Sequence, residues 1–181
     1  MRLGDGQFEI NSGSFENGKS GVITGNGSIH VKPRFTNRGE ISPGEAAGQL
    51  LIDGKLVLEP TSLLKIEIGG TDFREFDTLR VSRDLFIGGH LNVSLINDFR
   101  LALNQEFTIV DVGGNAIGEF VDLGEASLVG VFGDIELFIT YAGGDDNDIV
   151  LFTAVPEPTS LLLVGWATLG ILSIGRHGRC L

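Results

Sequence analysis

Four carboxyl groups lie in the segment "GGTDFREFDTLRVSRD", and paired carboxyl groups are what many enzymes use to cleave polysaccharides. Such enzymes hold an acid and a base or nucleophile about 5 to 9 Å apart. Asp72, Glu75, Asp77 and Asp84 are therefore the first residues to test for this chemistry. The chain has 24 Asp and Glu among 181 residues, so a local cluster carries little information. We expect no enzyme, with a glycan-active lyase or glycosidase as the alternative.

A second acidic segment, "GGDDNDIVL", offers Asp145, Asn147 and Asp148 as hard oxygen ligands for calcium. It resembles a single calcium-binding nonapeptide of the repeats-in-toxin type. Asp146 stands where that repeat requires glycine, and calcium binding there needs several stacked copies. The segment therefore predicts a solvated turn before the last strand, and we expect neither a metal nor a cofactor.

The segment "IHVKPRF" alternates apolar residues with His30, Lys32 and Arg34. This pattern is typical of a strand with a polar outer face. The functional alternative is a small patch that binds anionic glycans on an otherwise acidic chain. The three histidines are scattered along the chain, which gives a histidine metal site little support.

The charge balance excludes one class of partner. The chain has 13 Lys and Arg and a formal net charge of −11. A body this acidic is repelled by phosphate backbones, so we expect no nucleic-acid binding. Its only cysteine is Cys180, which excludes a disulfide framework within the body.

Between residues 21 and 153 the apolar residues alternate with polar ones, and glycine-rich turns separate the runs. In "LLIDGKLVL" the inward residues are Leu50 and Ile52, then Leu56 and Leu58, with Asp53-Gly54 read as a turn. "LRVSRDLFIGGHLNVSLI" repeats the scheme from Leu79 to Leu95. The domain of residues 1–154 is therefore predicted to be all-β.

Two all-β architectures fit this pattern. Asp-Gly between alternating runs favours hairpins and an antiparallel β-sandwich. The short, regularly spaced runs and the similarity of "IDGKLVL" to "IGGHLNV" favour stacked coils of a parallel β-helix. We favour the β-helix and keep the sandwich as the alternative.

The segment "NRGEISPGEAAGQLLIDGKLVLEPTSLLKIEIGG", with its continuation to residue 152, resembles the autotransporter-associated β-strand repeat. The resemblance covers residues 37–152. It implies a right-handed parallel β-helix in an exported or surface-exposed protein, and it implies no catalytic residues.

The C-terminal segment, residues 155–181, differs from the body. An apolar run follows Pro158 and is apolar on every side of a helix, which predicts a transmembrane helix over about residues 159–175. Arg176 and Arg179 in the basic end, residues 176–181, would stop the chain on the cytoplasmic side.

Pro156, Glu157 and Pro158, the apolar run and the basic end together resemble the PEP-CTERM sorting signal. The resemblance implies export, and recognition of the Pro-Glu-Pro motif by an exosortase at the inner membrane. It also implies an N-terminal signal peptide, which "MRLGDGQFEI" does not provide. We expect this chain to be a fragment, or its start to lie inside a longer gene. The predicted function is a structural or adhesive protein of the cell envelope or extracellular matrix, whose outer faces contact polysaccharide.

Overall fold

The computed structural model describes residues 1–10 and 13–154, and all of its regular structure is β. The all-β prediction is confirmed. The strands are β1 Arg2–Ile10, β2 Phe15–Asn17, β3 Val22–Asn37, β4 Glu40–Pro43, β5 Gln49–Leu58, β6 Leu63–Ile68, β7 Thr78–Val81, β8 Leu85–Ile87, β9 His90–Leu95, β10 Glu106–Val112, β11 Ala116–Gly118, β12 Leu128–Phe132, β13 Ile135–Gly143 and β14 Asp148–Ala154.

Strict alternation along the strands creates the core. Successive side chains of a strand point to opposite faces, so every second residue of β5 points inward. Leu50, Ile52 and Leu56 are completely buried, and Leu58 is nearly so. The inward row predicted from "LLIDGKLVL" is therefore confirmed.

Parallel pairing stacks these inward residues into columns. Leu50 on β5 pairs with Leu79 on β7, which in turn pairs with Val110 on β10. All three side chains are completely buried. Burial of apolar surface at about 25 cal/mol per Å² is the main stabilising contribution of such columns.

The strands form one mixed sheet, which curls into a nearly closed wall around the apolar core. Its path runs β12-β13-β14-β10-β7-β5-β3-β4-β6-β9. The long strand β3 pairs with β4 near its start and with β5 over the rest of its length. The pairs β10–β14, β13–β14 and β12–β13 are antiparallel, whereas the other pairs between described strands are parallel.

The predicted right-handed parallel β-helix is wrong, because a single mixed sheet replaces the stacked coils of short strands. Gly133, with φ of +67°, opens a tight turn between β12 and β13, and this turn reverses the chain into antiparallel pairing. The alternative antiparallel sandwich is also wrong, since β3, β5, β7 and β10 lie parallel to one another.

The two similar segments that favoured stacked coils meet only where β8 lies beside β5, and they are not paired residue by residue along their lengths. Lys55, from "IDGKLVL", pairs with Arg34 on β3. His90, from "IGGHLNV", pairs with Leu63 on β6. The segments share an alternating pattern because both bury one face, and that pattern does not determine which strands pair.

Within residues 1–10 and 13–154, no helix is long and apolar enough to cross a membrane. The transmembrane helix predicted for residues 159–175 thus has no support from the structure and lies outside the described residues. The sorting motif at Pro156, Glu157 and Pro158 and the basic residues Arg176 and Arg179 also lie outside them.

Strand β9 provides a test of the predicted faces. Leu91 is half-buried against the core, whereas its neighbour Asn92 is exposed. We expect Leu91→Asp to lower the free energy of unfolding by about 2 kcal/mol, because it places a carboxylate against apolar side chains. Asn92→Asp should stay within about 0.5 kcal/mol of the parent. Equal urea midpoints for the two variants would contradict this assignment of the faces of β9.

Candidate functional site

The four candidate carboxyl groups lie in different surroundings. Asp77 is completely buried and accepts hydrogen bonds from the backbone N–H groups of Gly48, at 2.8 Å, and Glu67, at 2.9 Å. Glu75 accepts a hydrogen bond from the backbone of Asp72 at 3.2 Å in an exposed loop. Among the described residues no hydrogen bond joins two of the four candidate carboxyl groups.

Asp77 connects the start of β5 with β6. Burial raises its pKa to about 7, although both backbone N–H groups act in the opposite direction and Glu67 adds a smaller increase. A completely buried carboxyl group that is already bonded to two backbone amides can hold strands together. Sequence reasoning identified this residue as a catalytic candidate, whereas its contacts are those of a strand connector.

Two of the calcium candidates, Asn147 and Asp148, form hydrogen bonds with the backbone of this chain. The Asn147 amide donates to the carbonyl oxygens of Val112, at 2.8 Å, and Gly114, at 2.7 Å. Asp148 accepts a hydrogen bond from the Val112 backbone at 2.9 Å, and burial raises its pKa. These contacts fasten the turn before β14 to the end of β10.

The third calcium candidate, Asp145, is exposed in that turn. Within the described part of the chain no three His, Cys, Asp or Glu residues form a group that could hold a metal ion. Asp146, which stands where the repeat requires glycine, has a φ of +72°. The turn therefore adopts a backbone conformation that usually favours glycine, without gathering a carboxylate ligand set.

The segment "IHVKPRF" forms a bulge in the middle of β3. His30 pairs with Asp53 on β5 and Arg34 pairs with Lys55, so three residues of β3 face Gly54 alone. A side chain on Gly54 would start only 2.5 Å from the Val31 carbonyl oxygen, so glycine is what lets the two backbones approach. The bulge pushes Lys32 out into solvent.

The bulge forms one side of an open pocket of about 480 Å³. We call this the basic pocket, because four of its lining residues are His30, Lys32, Lys55 and Arg83. They come from β3, from β5 and from the turn between β7 and β8. Val31, Pro33, Asp53 and Gly54 complete the lining.

Two hydrogen bonds fix the acidic side chain of the basic pocket. Ser82 Oγ donates to Asp53 Oδ1 at 2.7 Å, and His30 Nδ1 lies 2.5 Å from Asp53 Oδ2. The bond from Ser82, followed by the bond from His30, lowers the pKa of Asp53. Asp53 is therefore ionised near neutral pH, and both of its oxygens already have partners.

The cations of the basic pocket differ in their partners. Lys55 Nζ lies 2.6 Å from Asp84 Oδ2. Hydrogen bonds from Lys55 and then from Asn115 lower the pKa of Asp84. Lys32 and Arg83 are exposed and have no ion-pair partner among the described residues. These two side chains give the basic pocket its available positive charge.

A second open pocket, of about 500 Å³, is lined by Asn26, Gln49 and Arg80 among others. It has two lining cations, Arg74 and Arg80, and Arg80 Nε already lies 2.9 Å from Asp111 Oδ2, so its available positive charge is smaller than that of the basic pocket. Asp5 adds a further negative charge to the lining. The basic pocket is therefore the better candidate site.

Sequence reasoning identified His30 and Lys32 but missed Lys55 and Arg83. Arg34, also predicted, is exposed directly after the bulge but does not line the basic pocket. The missed Lys55 lies beside Asp53-Gly54, which was interpreted as a turn, and the missed Arg83 lies in the second alternating run, beside the carboxyl candidate Asp84. The only sequence signal for Lys55 and Arg83 was that each closely follows a pair of alternating inward residues, Leu50 and Ile52 for Lys55, and Leu79 and Val81 for Arg83.

The fold and the basic pocket define an all-β protein with a filled core and an open, polar outer site. No protein-family model matches the sequence, and comparison with curated proteins finds no match. The resemblances of residues 37–152 and of the C-terminal segment therefore stay predictions.

Proposed function

We propose that this chain is a structural or adhesive protein of the cell envelope or extracellular matrix, exported and sorted through its C-terminal segment. The observation that supports a binding scaffold is the sheet itself. Its inner face is filled by apolar columns such as Leu50, Leu79 and Val110, which leaves the outer face to make contacts.

The sorting part of the proposal rests on sequence alone. Pro156, Glu157 and Pro158 precede an apolar run and a basic end, in the order that an exosortase-type enzyme would read. Proline restricts the backbone and removes the N–H donor, so this segment favours an extended form that an enzyme can bind. The partners proposed are that enzyme, the inner membrane and an extracellular polysaccharide.

Processing can be tested in a host that has an exosortase, with a signal peptide fused to the full chain. We expect Glu157→Ala and Pro158→Ala to leave the protein exported but uncleaved, because the enzyme reads this motif. Thr159→Ala, just outside the motif, is the matched control and should be processed normally. The measurement is gel mobility after cell fractionation. If Glu157→Ala changes neither mass nor location, sorting through this motif is wrong.

A different assay distinguishes the proposed structural function from the alternative, a polysaccharide-cleaving enzyme. Incubation of the full chain with bacterial and algal polysaccharides should release neither reducing nor unsaturated ends. Release that Asp72→Asn or Asp84→Asn abolishes would favour the enzyme. Asp77 is unsuitable for this comparison, because its substitution disturbs the fold.

A further inference from the structure

We propose that the basic pocket binds an extended anionic saccharide, one that carries carboxylate or sulfate groups on successive sugars. This inference rests on the proposed function, since it names the class of ligand that the outer surface would contact. Three observations support it: the local charge, the stacking of the cations on neighbouring strands, and the fixed histidine ring.

The first observation is the contrast between the basic pocket and the rest of the protein. The whole chain carries a formal net charge of −11. Lys32 and Arg83 nevertheless line one pocket without an ion-pair partner among the described residues, and Lys55 stands beside them. A flexible polyanion is repelled by most of this surface and attracted here. The charge pattern therefore favours binding at one place.

The second observation is the arrangement of the cations. Lys32 belongs to β3, Lys55 to β5, and Arg83 follows β7, and these three strands are successive neighbours in the sheet. Neighbouring strands lie about 4.8 Å apart, so the available cations, Lys32 and Arg83, belong to levels two strand spacings apart, with Lys55 and its partner Asp84 between them. A polymer that crosses the strands can place a charge near both Lys32 and Arg83, whereas a single acidic sugar cannot. Affinity should therefore increase with the length of the saccharide.

The third observation is that the polar groups of the pocket are held in place before a ligand binds. Asp53 holds the His30 ring through Nδ1, and Ser82 holds Asp53 from the other side. The second ring nitrogen of His30 is thus oriented in advance as a partner for a sugar hydroxyl, which reduces the entropy lost on binding. Both Asp53 oxygens already have partners within the protein. The polar side chains of the lining that remain available to a ligand are therefore mainly cationic.

Nucleic acid fits this site less well. A long phosphate backbone would extend beyond the basic pocket over an acidic surface, where it is repelled. A polysaccharide can approach through uncharged hydroxyl groups between its acidic ones. The acidic surface around the basic pocket therefore disfavours nucleic acid more than it disfavours an acidic polysaccharide.

The experiment is calorimetric titration of the purified full chain, kept in a nonionic detergent because of its apolar C-terminal run. The probes are long and short galacturonate oligomers, a sulfated glucan, a neutral glucan and inorganic polyphosphate. Long acidic saccharides should bind, short ones less tightly, and the neutral glucan not at all. The carboxylated and sulfated probes distinguish the two sources of negative charge. Binding should weaken at high salt, because salt screens exposed charges.

The decisive variant is Lys32→Gln combined with Arg83→Gln. Because the variant removes two exposed charges from the pocket, affinity for the long acidic saccharide should fall about tenfold. The matched control is Lys19→Gln with Arg100→Gln, which removes the same charge from exposed residues outside the basic pocket. The control should bind like the parent chain. All three proteins should have the same melting temperature.

Three outcomes would overturn the proposal: equal weakening in the decisive and control variants, equal binding of the neutral glucan, or polyphosphate binding as tight as that of the acidic saccharides. Failure of this titration, with export and processing intact, would disprove only the ligand. Failure of processing with saccharide binding intact would disprove only the sorting function.

Discussion

Asp77→Ala should lower the free energy of unfolding by roughly 2 to 6 kcal/mol near pH 5. The substitution leaves two backbone N–H groups, those of Gly48 and Glu67, without the carboxyl group that accepts their hydrogen bonds. Each buried donor left unpaired costs about 1 to 3 kcal/mol. Urea denaturation measures the change.

The cost of Asp77→Ala should depend on pH in a defined direction. The pKa of Asp77 is about 7 in the folded protein, against a usual value of 3.8, so the folded state binds the proton more tightly. Its contribution to stability is therefore complete below about pH 4 and is lost as the pH rises to 7. The loss is about 4 kcal/mol, from a change of about three pKa units at 1.36 kcal/mol each.

Other carboxyl groups titrate as well, so the relevant quantity is the difference between parent and variant. Asp53 and Asp84 have lowered pKa values, and their contributions are lost instead as the pH falls. These contributions cancel in the difference, as does that of Asp148. Asp72→Ala is the control, because Asp72 is exposed, and it should change stability by no more than about 0.5 kcal/mol. A parent-minus-variant difference that is constant from pH 4 to pH 7 would contradict the assignment.

Phe107→Ala should lower the free energy of unfolding by about 3 to 5 kcal/mol, the usual cost of removing a buried phenylalanine side chain. Phe107 is completely buried. Its ring packs edge-on against Phe76, with centroids 5.4 Å apart, and against Phe99, at 6.4 Å. Such aromatic pairs contribute more to stability than the burial of their apolar area alone would give.

Phe107 lies where strand pairing in the sheet changes from parallel to antiparallel. It belongs to β10, which pairs in parallel with β7 on one side and antiparallel with β14 on the other. Phe73→Ala is the matched control, since that ring is 63% exposed, and it should change stability by no more than about 0.5 kcal/mol. Chemical denaturation of both variants measures the difference. Similar midpoints for the two would show that Phe107 is not part of the core.

The inward faces could be predicted from the sequence because alternation is a local property. Leu50 and Ile52 point inward whatever their strand pairs with, since successive side chains must point to opposite faces. Strand direction could not be predicted in the same way. An alternating strand looks the same beside a parallel or an antiparallel neighbour.

Asp53-Gly54 illustrates why the predicted turn was wrong. The dipeptide is a strong local signal for a hairpin, yet β5 runs through it without interruption from residue 49 to residue 58. Gly54 is needed there because the Val31 carbonyl of a neighbouring strand approaches so closely. A contact between residues 23 positions apart thus overrides the local preference.

The sequence by itself determined that the protein is β-structured and which residues of its alternating runs, such as Leu50 and Ile52, point inward, and its charge leads us to expect no nucleic-acid binding. Tertiary structure alone decided which strands pair and in which direction, and it alone brought His30, Lys55 and Arg83 into one pocket. The reason is physical. Alternation and charge are properties of short segments and of composition, whereas pairing depends on the combined burial of apolar columns assembled from distant strands.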